Sequence, residues 1–186
     1  KGLDFDNVSL VGVLDADAML KFPDFRALER AYQLMSQVAG RSGRKGKRGK
    51  VVIQTYDENH EIIQLVKNHK YKLMSQKQLE ERRLFKYPPY CRLILVNLQH
   101  KDQNKLDMLS KKFAKSLQNS FGARVLGPVD PVISKIRNYY HKNIMLKIES
   151  DASIKKAKEI LSKTIEIYKD LKQFRSIRIN IDVDPY

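Results

Sequence analysis

The chain has 186 residues, room for one domain and part of another or for two small ones, and its 42% hydrophobic content excludes wholesale disorder. Lysine and arginine number 36 against 21 aspartate and glutamate, a formal charge of +15 that points to a polyanionic partner such as nucleic acid, anionic lipid or nucleotide phosphate. The single cysteine, Cys91, excludes an internal disulfide framework, and no apolar run approaches the roughly 20 residues of a membrane span.

Residues 8–14 form a nearly continuous apolar run, the pattern of a strand buried on both faces of a parallel sheet. Ala27, Ala31, Leu34, Met35 and Val38 have helical spacing, so a helix is expected over 24–39 with Asp24 as its cap. Residues 40–49 hold four glycines and five basic residues without an acid, which reads as a loop, and 50–55 as a second strand. This is the grammar of an α/β domain. Residues 60–84 read as helix, in one piece or two, stopped by Pro88 and Pro89.

Beyond the prolines the pattern changes. Strands are expected at 92–99, 124–126, 132–136, 143–148 and 176–183, with helices at 105–121 and 154–171. That order is a split β-α-β, so a ferredoxin-like domain is expected over 90–186.

The segment QVAGRSGR (37–44) sits where a helix gives way to the glycine-rich loop. Two arginines three apart can grip phosphate oxygens bidentately, although a solvated basic loop fits the residues equally well. Gly40 to Lys47 imitates a phosphate-binding loop but has one residue too many between its glycines, and Arg48 stands where a magnesium-binding Ser or Thr belongs. Asp57 and Glu58 lie in a polar turn rather than at the end of an apolar strand.

The opening KGLDF, the strand ending in LDAD (14–17) and the QVAGRSGR segment resemble the fifth and sixth motifs of superfamily 2 helicases. ERRLFKYPPY (81–90), LGPV (126–129) and the terminal DVDP (182–185) narrow the resemblance to the primosomal protein N-prime family of bacterial replication-restart DNA helicases, over essentially the whole chain. The chain opens on Lys1 inside a motif and reads as the C-terminal part of something longer.

The resemblance implies an ATP-dependent 3′-to-5′ helicase as the parent, acting at stalled forks and assembling the primosome. Residues 1–66 would end a second RecA-like lobe, 67–89 form a helical linker, and 90–186 bind DNA and partners. Arg44 would be the arginine finger, Arg41 a second γ-phosphate contact, and Gln37 would order the site around the phosphate or attacking water. Gly2, Asp4 and Gly40 would contact nucleotide; Asp4 would accept from ribose or serve only as a turn residue. ATP with Mg²⁺ would be shared with a first lobe carrying the Walker motifs, so the chain alone is expected to be inactive. Zinc would belong to the parent and not to this chain. The implied partners are forked and single-stranded DNA, single-strand DNA-binding protein and other primosome proteins, in the cytoplasm and without a membrane.

In the last domain, Lys135, Arg137, Tyr139, Tyr140 and Lys142 interleave basic and aromatic residues, as in a surface that grips phosphates and stacks a base. An ordinary hairpin with solvated lysines and core tyrosines fits the same pattern. Lys111, Lys112 and Lys115, and Lys155, Lys156 and Lys158, read as solvated faces, the second set also as a receptor for an acidic tail. The four histidines lack ligand spacing. Asp182 and Asp184 are expected on the polar face of the last strand, paired with lysines. The rival reading is a non-enzymatic nucleic-acid-binding, ribosome-associated protein whose Arg/Gly loop clamps RNA.

Overall fold

Residues 8–40 and 49–185 are described in the computed structural model of the chain. They fall into two units, one ending at Arg82 and the other starting at Arg83. Gly2, Asp4, Arg41 and Arg44 lie outside the described residues.

In the first unit, β1 (Leu10–Val13) runs parallel to β2 (Lys50–Ile53), with Val11 opposite Val51 and Val13 opposite Ile53. The helices are α1 (Ala16–Leu20), α2 (Ala27–Ala39), α3 (Glu61–Lys67) and α4 (Tyr71–Leu84). Burial of the first strand on both faces is an expectation the structure corrects: Val13 is buried, but Leu10 is 58% exposed. Successive strand residues face opposite ways, and burial on both sides needs a layer on each. Among the described residues Val13 shares one core with Ala31, Tyr32 and Met35 of α2 and Ile62 and Val66 of α3, while position 10 faces away from it.

LDAD adds an element that its shortness hid. Asp15 adopts a left-handed conformation (φ 51°) and its carboxylate accepts from the Ala18 N–H, capping α1. Asp17 accepts from the Tyr56 N–H at 2.9 Å, which ties α1 to the segment after β2 and holds this carboxyl below its ordinary range. Asp24 works one turn before the helix it was expected to cap: it accepts from the Arg26 N–H at 2.8 Å and pairs with Arg30 at 2.9 Å, and α2 starts at Ala27. The helical stretch after residue 60 is in two pieces, broken at His69, whose φ is +52°. Arg82 pairs with Glu29, packing α4 to α2.

The second unit contains β3 (Cys91–His100), α5 (Gln103–Phe121), β4 (Val125–Val129), β5 (Lys135–Ile136), β6 (Tyr139–Glu149), α6 (Ile154–Asp170) and β7 (Arg178–Val183). The strand order is β4-β6-β3-β7, every pair antiparallel, with β5 folded back on β6. Alternation aims Ile94, Val96 and Leu98 of β3 and Ile144, Leu146 and Ile148 of β6 into one core. Leu106, Leu109, Phe113 and Leu117 of α5 and Leu161 and Ile165 of α6 complete it. Each such buried side chain stabilises the fold by about 1.5–3 kcal/mol. Asp102 caps α5 by accepting from the Lys105 N–H, and Ser153 caps α6 by accepting from the Lys156 N–H.

One strand differs from expectation. β4 continues through Gly127 and Pro128 instead of stopping at them, while residues 132–134 are not strand. An edge strand tolerates proline, and the pairing with β6 is irregular between Leu126 and Val129. Gly127 has φ +102°, and a Cβ there would stand 2.7 Å from the Asn143 carbonyl oxygen, so only glycine fits.

Candidate nucleic-acid interface

The helices of the second unit cover one face of its sheet, which leaves the odd-numbered residues of β3 and β6 on the other. Register then sets side chains in rows across three strands. Asn143, Asn97 and Asn180 stand abreast on β6, β3 and β7, and the neighbouring row is His141, Gln99 and Arg178. Met145, Leu95 and Asp182 form the row beyond the asparagines.

These rows are wired together. Gln99 donates to the Asn97 side-chain oxygen at 2.8 Å, Asn97 donates to the Asn143 oxygen at 2.8 Å, and His141 Nδ1 lies 3.3 Å from the same Asn97 oxygen. Asn180 has no side-chain partner among the described residues. The residues after β4, Pro131, Val132 and Ile133, stand over this face with Ile136 and bound a cavity of about 470 Å³ floored by the asparagine row.

At the near end lies the hairpin that joins β5 to β6. Arg137 and Asn138 both have positive φ, 47° and 64°, as a type I′ two-residue turn requires. Ile136 pairs with Tyr139 and Lys135 with Tyr140, so the two tyrosines go to opposite faces. The Tyr139 ring is on the open face, with the Arg178 guanidinium 4.3 Å and the Lys101 ammonium 5.8 Å from its centre. Tyr140 packs against the helix-side core, and Lys135 donates to its hydroxyl at 3.3 Å. Lys135 and Arg137 are exposed.

Lys142 has a different fate. It shares the core-side face with Leu98, is 15% exposed, and its ammonium is held by Asp130 at 2.8 Å and Asp107 at 3.0 Å. The Asp130 hydrogen bond above all, with Asp107 behind it, raises the pKa of this lysine. Its charge is compensated by the two carboxylates on this side of the sheet.

Other residues singled out from the sequence have ordinary places. Gln37 is exposed on the last turn of α2, and Gly40 caps that helix, its N–H donating to the Ser36 carbonyl. Cys91 is buried, and that burial pushes its thiol upward. Asp184 lies just past β7, where it accepts from the Leu93 N–H at 3.1 Å and pairs with Arg92 rather than a lysine. His60 caps α3 through Nδ1, and His100 bridges to Ser176. Lys111, Lys112, Lys115, Lys155, Lys156 and Lys158 are exposed. Among the described residues no group of three His, Cys, Asp or Glu can hold a metal, and no helix is long and apolar enough to cross a membrane.

Sequence reasoning missed the asparagine row, Gln99 and Arg178. The available signal was one asparagine per strand in RLILVNLQ, NIMLKI and RINIDV; what was lacking was the register that sets them side by side.

Residues 83–186 match the family model described as primosomal protein N C-terminal domain. The whole chain is 40% identical to the replication restart protein PriA of Bacillus subtilis (strain 168), of which it spans 23%. It is 34% identical over its full length to the protein of that name from Synechocystis, spanning 22% of it, and 30% identical to that from Haemophilus influenzae, spanning 25%. The chain therefore covers about a quarter of the length of these curated relatives. A match over more than half of its residues places the chain in the primosomal protein N family, with 83–186 as the C-terminal domain.

Proposed function

We propose that the chain is the C-terminal part of an ATP-dependent 3′-to-5′ DNA helicase that restarts replication at stalled forks, in which the second unit binds single-stranded DNA. The observation that carries the DNA-binding part is Tyr139, on the open sheet face with Arg178 and Lys101 beside its ring. Sheets of this size bind single strands by stacking bases on aromatic residues of an open face while cations hold the phosphates. Tyr139 is the stacking platform; Arg178, Lys101 and Arg137 are the phosphate contacts, while Lys135 stays with Tyr140 on the other face. Tyr140 and Lys142 brace the hairpin from the core side.

The order of β3, α5, β4, β6, α6 and β7, with strands in the order β4-β6-β3-β7, supports a ferredoxin-like fold for this unit. The parallel β1–β2 pair with its helices supports the end of a RecA-like lobe in the first. In the parent, Arg41 and Arg44 would stabilise the charge that develops in phosphoryl transfer to water, with Gln37 beside them and Gly2, Asp4 and Gly40 near the nucleotide. ATP with Mg²⁺ is the substrate, and a first lobe must supply the groups that hold the metal. The chain by itself then hydrolyses no ATP, and turnover by the purified chain overturns that. Single-strand DNA-binding protein and other primosome proteins are the proposed partners, with Lys155, Lys156 and Lys158 as the place for an acidic tail. Family membership favours this reading over an RNA clamp.

The test is fluorescence anisotropy with single-stranded, forked and duplex DNA across a salt series. Single strands and forks bind more tightly than duplex, with a log–log salt slope of about −0.7 for each phosphate contacted. Tyr139→Ala weakens single-strand binding about 5- to 150-fold, the loss of one stacked base. Binding that is indifferent to Tyr139, or none at low salt, overturns the reading.

A further inference from the structure

The cavity over the asparagine row is chemically unlike the cationic end of the same face. Its floor is the carboxamide row with His141 beside Asn97, its walls are Val132, Ile133, Ile136 and Leu95, and no lysine or arginine lines it. Asp182 stands at its far edge. A phosphate is disfavoured there, since it would meet the Asp182 carboxylate and no lysine or arginine. A flat neutral group with apolar faces and hydrogen-bonding edges fits instead.

The relay from Gln99 through Asn97 to the Asn143 oxygen uses up most of the Asn97 amide. The Asn143 amino group and the whole Asn180 carboxamide have no partner among the described residues. These groups offer donors and an acceptor side by side, which is how asparagine addresses the edge of a base. At about 470 Å³ the cavity is within the range of small-ligand sites. Asn143 lies four positions along β6 from Tyr139, about 13 Å of strand, so one base cannot reach both.

We propose that this cavity is a second base site: a single strand that stacks one base on Tyr139 sends a later, unpaired base between the Val132–Ile133 wall and the asparagine row, where Asn143 and Asn180 hydrogen-bond its edge. Asp182 accepts from an exocyclic or ring N–H of that base, and the phosphates stay outside with Arg178 and Lys101. The inference rests on the proposed binding of single strands by this unit. It adds readout of bases by amides to stacking and phosphate contact.

The test compares a 12-residue DNA single strand with an abasic strand of the same length, which keeps the phosphates and lacks every base. The whole chain prefers the base-bearing strand at least tenfold. In a Tyr139→Ala background a preference of about threefold or more persists, and adding Asn143→Ala with Asn180→Ala abolishes it. If Tyr139→Ala alone removes all preference, the cavity holds no base and the inference falls while the proposed function stands. If neither strand binds, both fall. NMR of the unmutated chain provides a reading free of folding defects: the Asn143 and Asn180 side-chain amide signals shift with the base-bearing strand and stay in place with the abasic one. Unshifted signals, as when another protein segment fills the groove, overturn the inference.

Discussion

The two faces of the second unit's sheet are built from the same strands and have opposite chemistry. On the helix side, the polar groups of β6 are paired: Lys142 with Asp107 and Asp130, and the Tyr140 hydroxyl with Lys135. On the open side, the Asn180 carboxamide has no side-chain partner among the described residues, and the Tyr139 ring meets only the Arg178 and Lys101 cations. A one-residue step along β6 moves a side chain from one regime to the other. Basic and aromatic composition therefore says little about binding until strand parity is known. Tyr139 and Tyr140 are neighbours in sequence and face opposite sides of the sheet.

The contrast breaks most visibly in the core. Phe113 is fully buried beneath Tyr168, whose ring meets it edge-on at 5.0 Å. Phe113→Ala costs about 3–5 kcal/mol, which in a domain of this size lowers Tm by about 12 °C or more. Gln99→Ala on the open face removes one hydrogen bond and costs about 1 kcal/mol. Thermal melts of the two variants give the stability difference. Single-strand affinity at a temperature where both are folded gives the reverse order, with Gln99→Ala the weaker binder because the amide relay is loosened. Equal effects on stability would mean that the open face is structural.

Lys142 sharpens the comparison from the other side. Lys142→Met keeps the length of the stem and removes the charge, leaving Asp107 and Asp130 without their cation. Because Asp130 is 57% exposed, the loss is about 1 kcal/mol and not that of a fully buried pair. The slope of log affinity against log salt stays as it was, whereas Arg137→Ala lowers its magnitude by about 0.7. A slope reduced by Lys142→Met would return this lysine to the binding surface.

Much of this fold is legible in the sequence because alternation is: RLILVNLQ, NIMLKI and RINIDV announce strands, and the apolar spacing of Leu106, Leu109, Phe113 and Leu117 announces α5. Other features depend on distances that no local pattern carries. Lys142 meets Asp107 from 35 positions away, and the three asparagines come from strands spread over 84 positions. β4 runs through Gly127 and Pro128 because it is an edge, a fact about the sheet rather than the segment. The apolar run at β1 misleads for a related reason, since a hydrophobic strand records the layers it can be covered by and not those that cover it among the described residues. The motif arginines Arg41 and Arg44 are legible only as motif.

The smallest expected effect is on the pH dependence of stability, and its sign separates the groups involved. Lys142 has its pKa raised in the folded state, so its contribution is fully present below about pH 10.5 and is lost as pH climbs through the raised value. Lys147, half-covered and donating to the Phe85 carbonyl, has its pKa lowered, chiefly by burial. The folded state then releases that proton first, and stability gains as pH rises across the same region. The two oppose each other, so the alkaline limb of the unmutated chain is shallow. Lys142→Met removes one and leaves the other, and its stability relative to the unmutated chain should recover as pH passes 10.5. Glu149, held low by Arg124, loses its contribution as pH falls below its ordinary 4.5 in both proteins, so their acid limbs run parallel. Alkaline limbs that also run parallel would mean that the Asp107–Lys142–Asp130 cluster gives the fold nothing, and that the helix-side face owes its order to the apolar core alone.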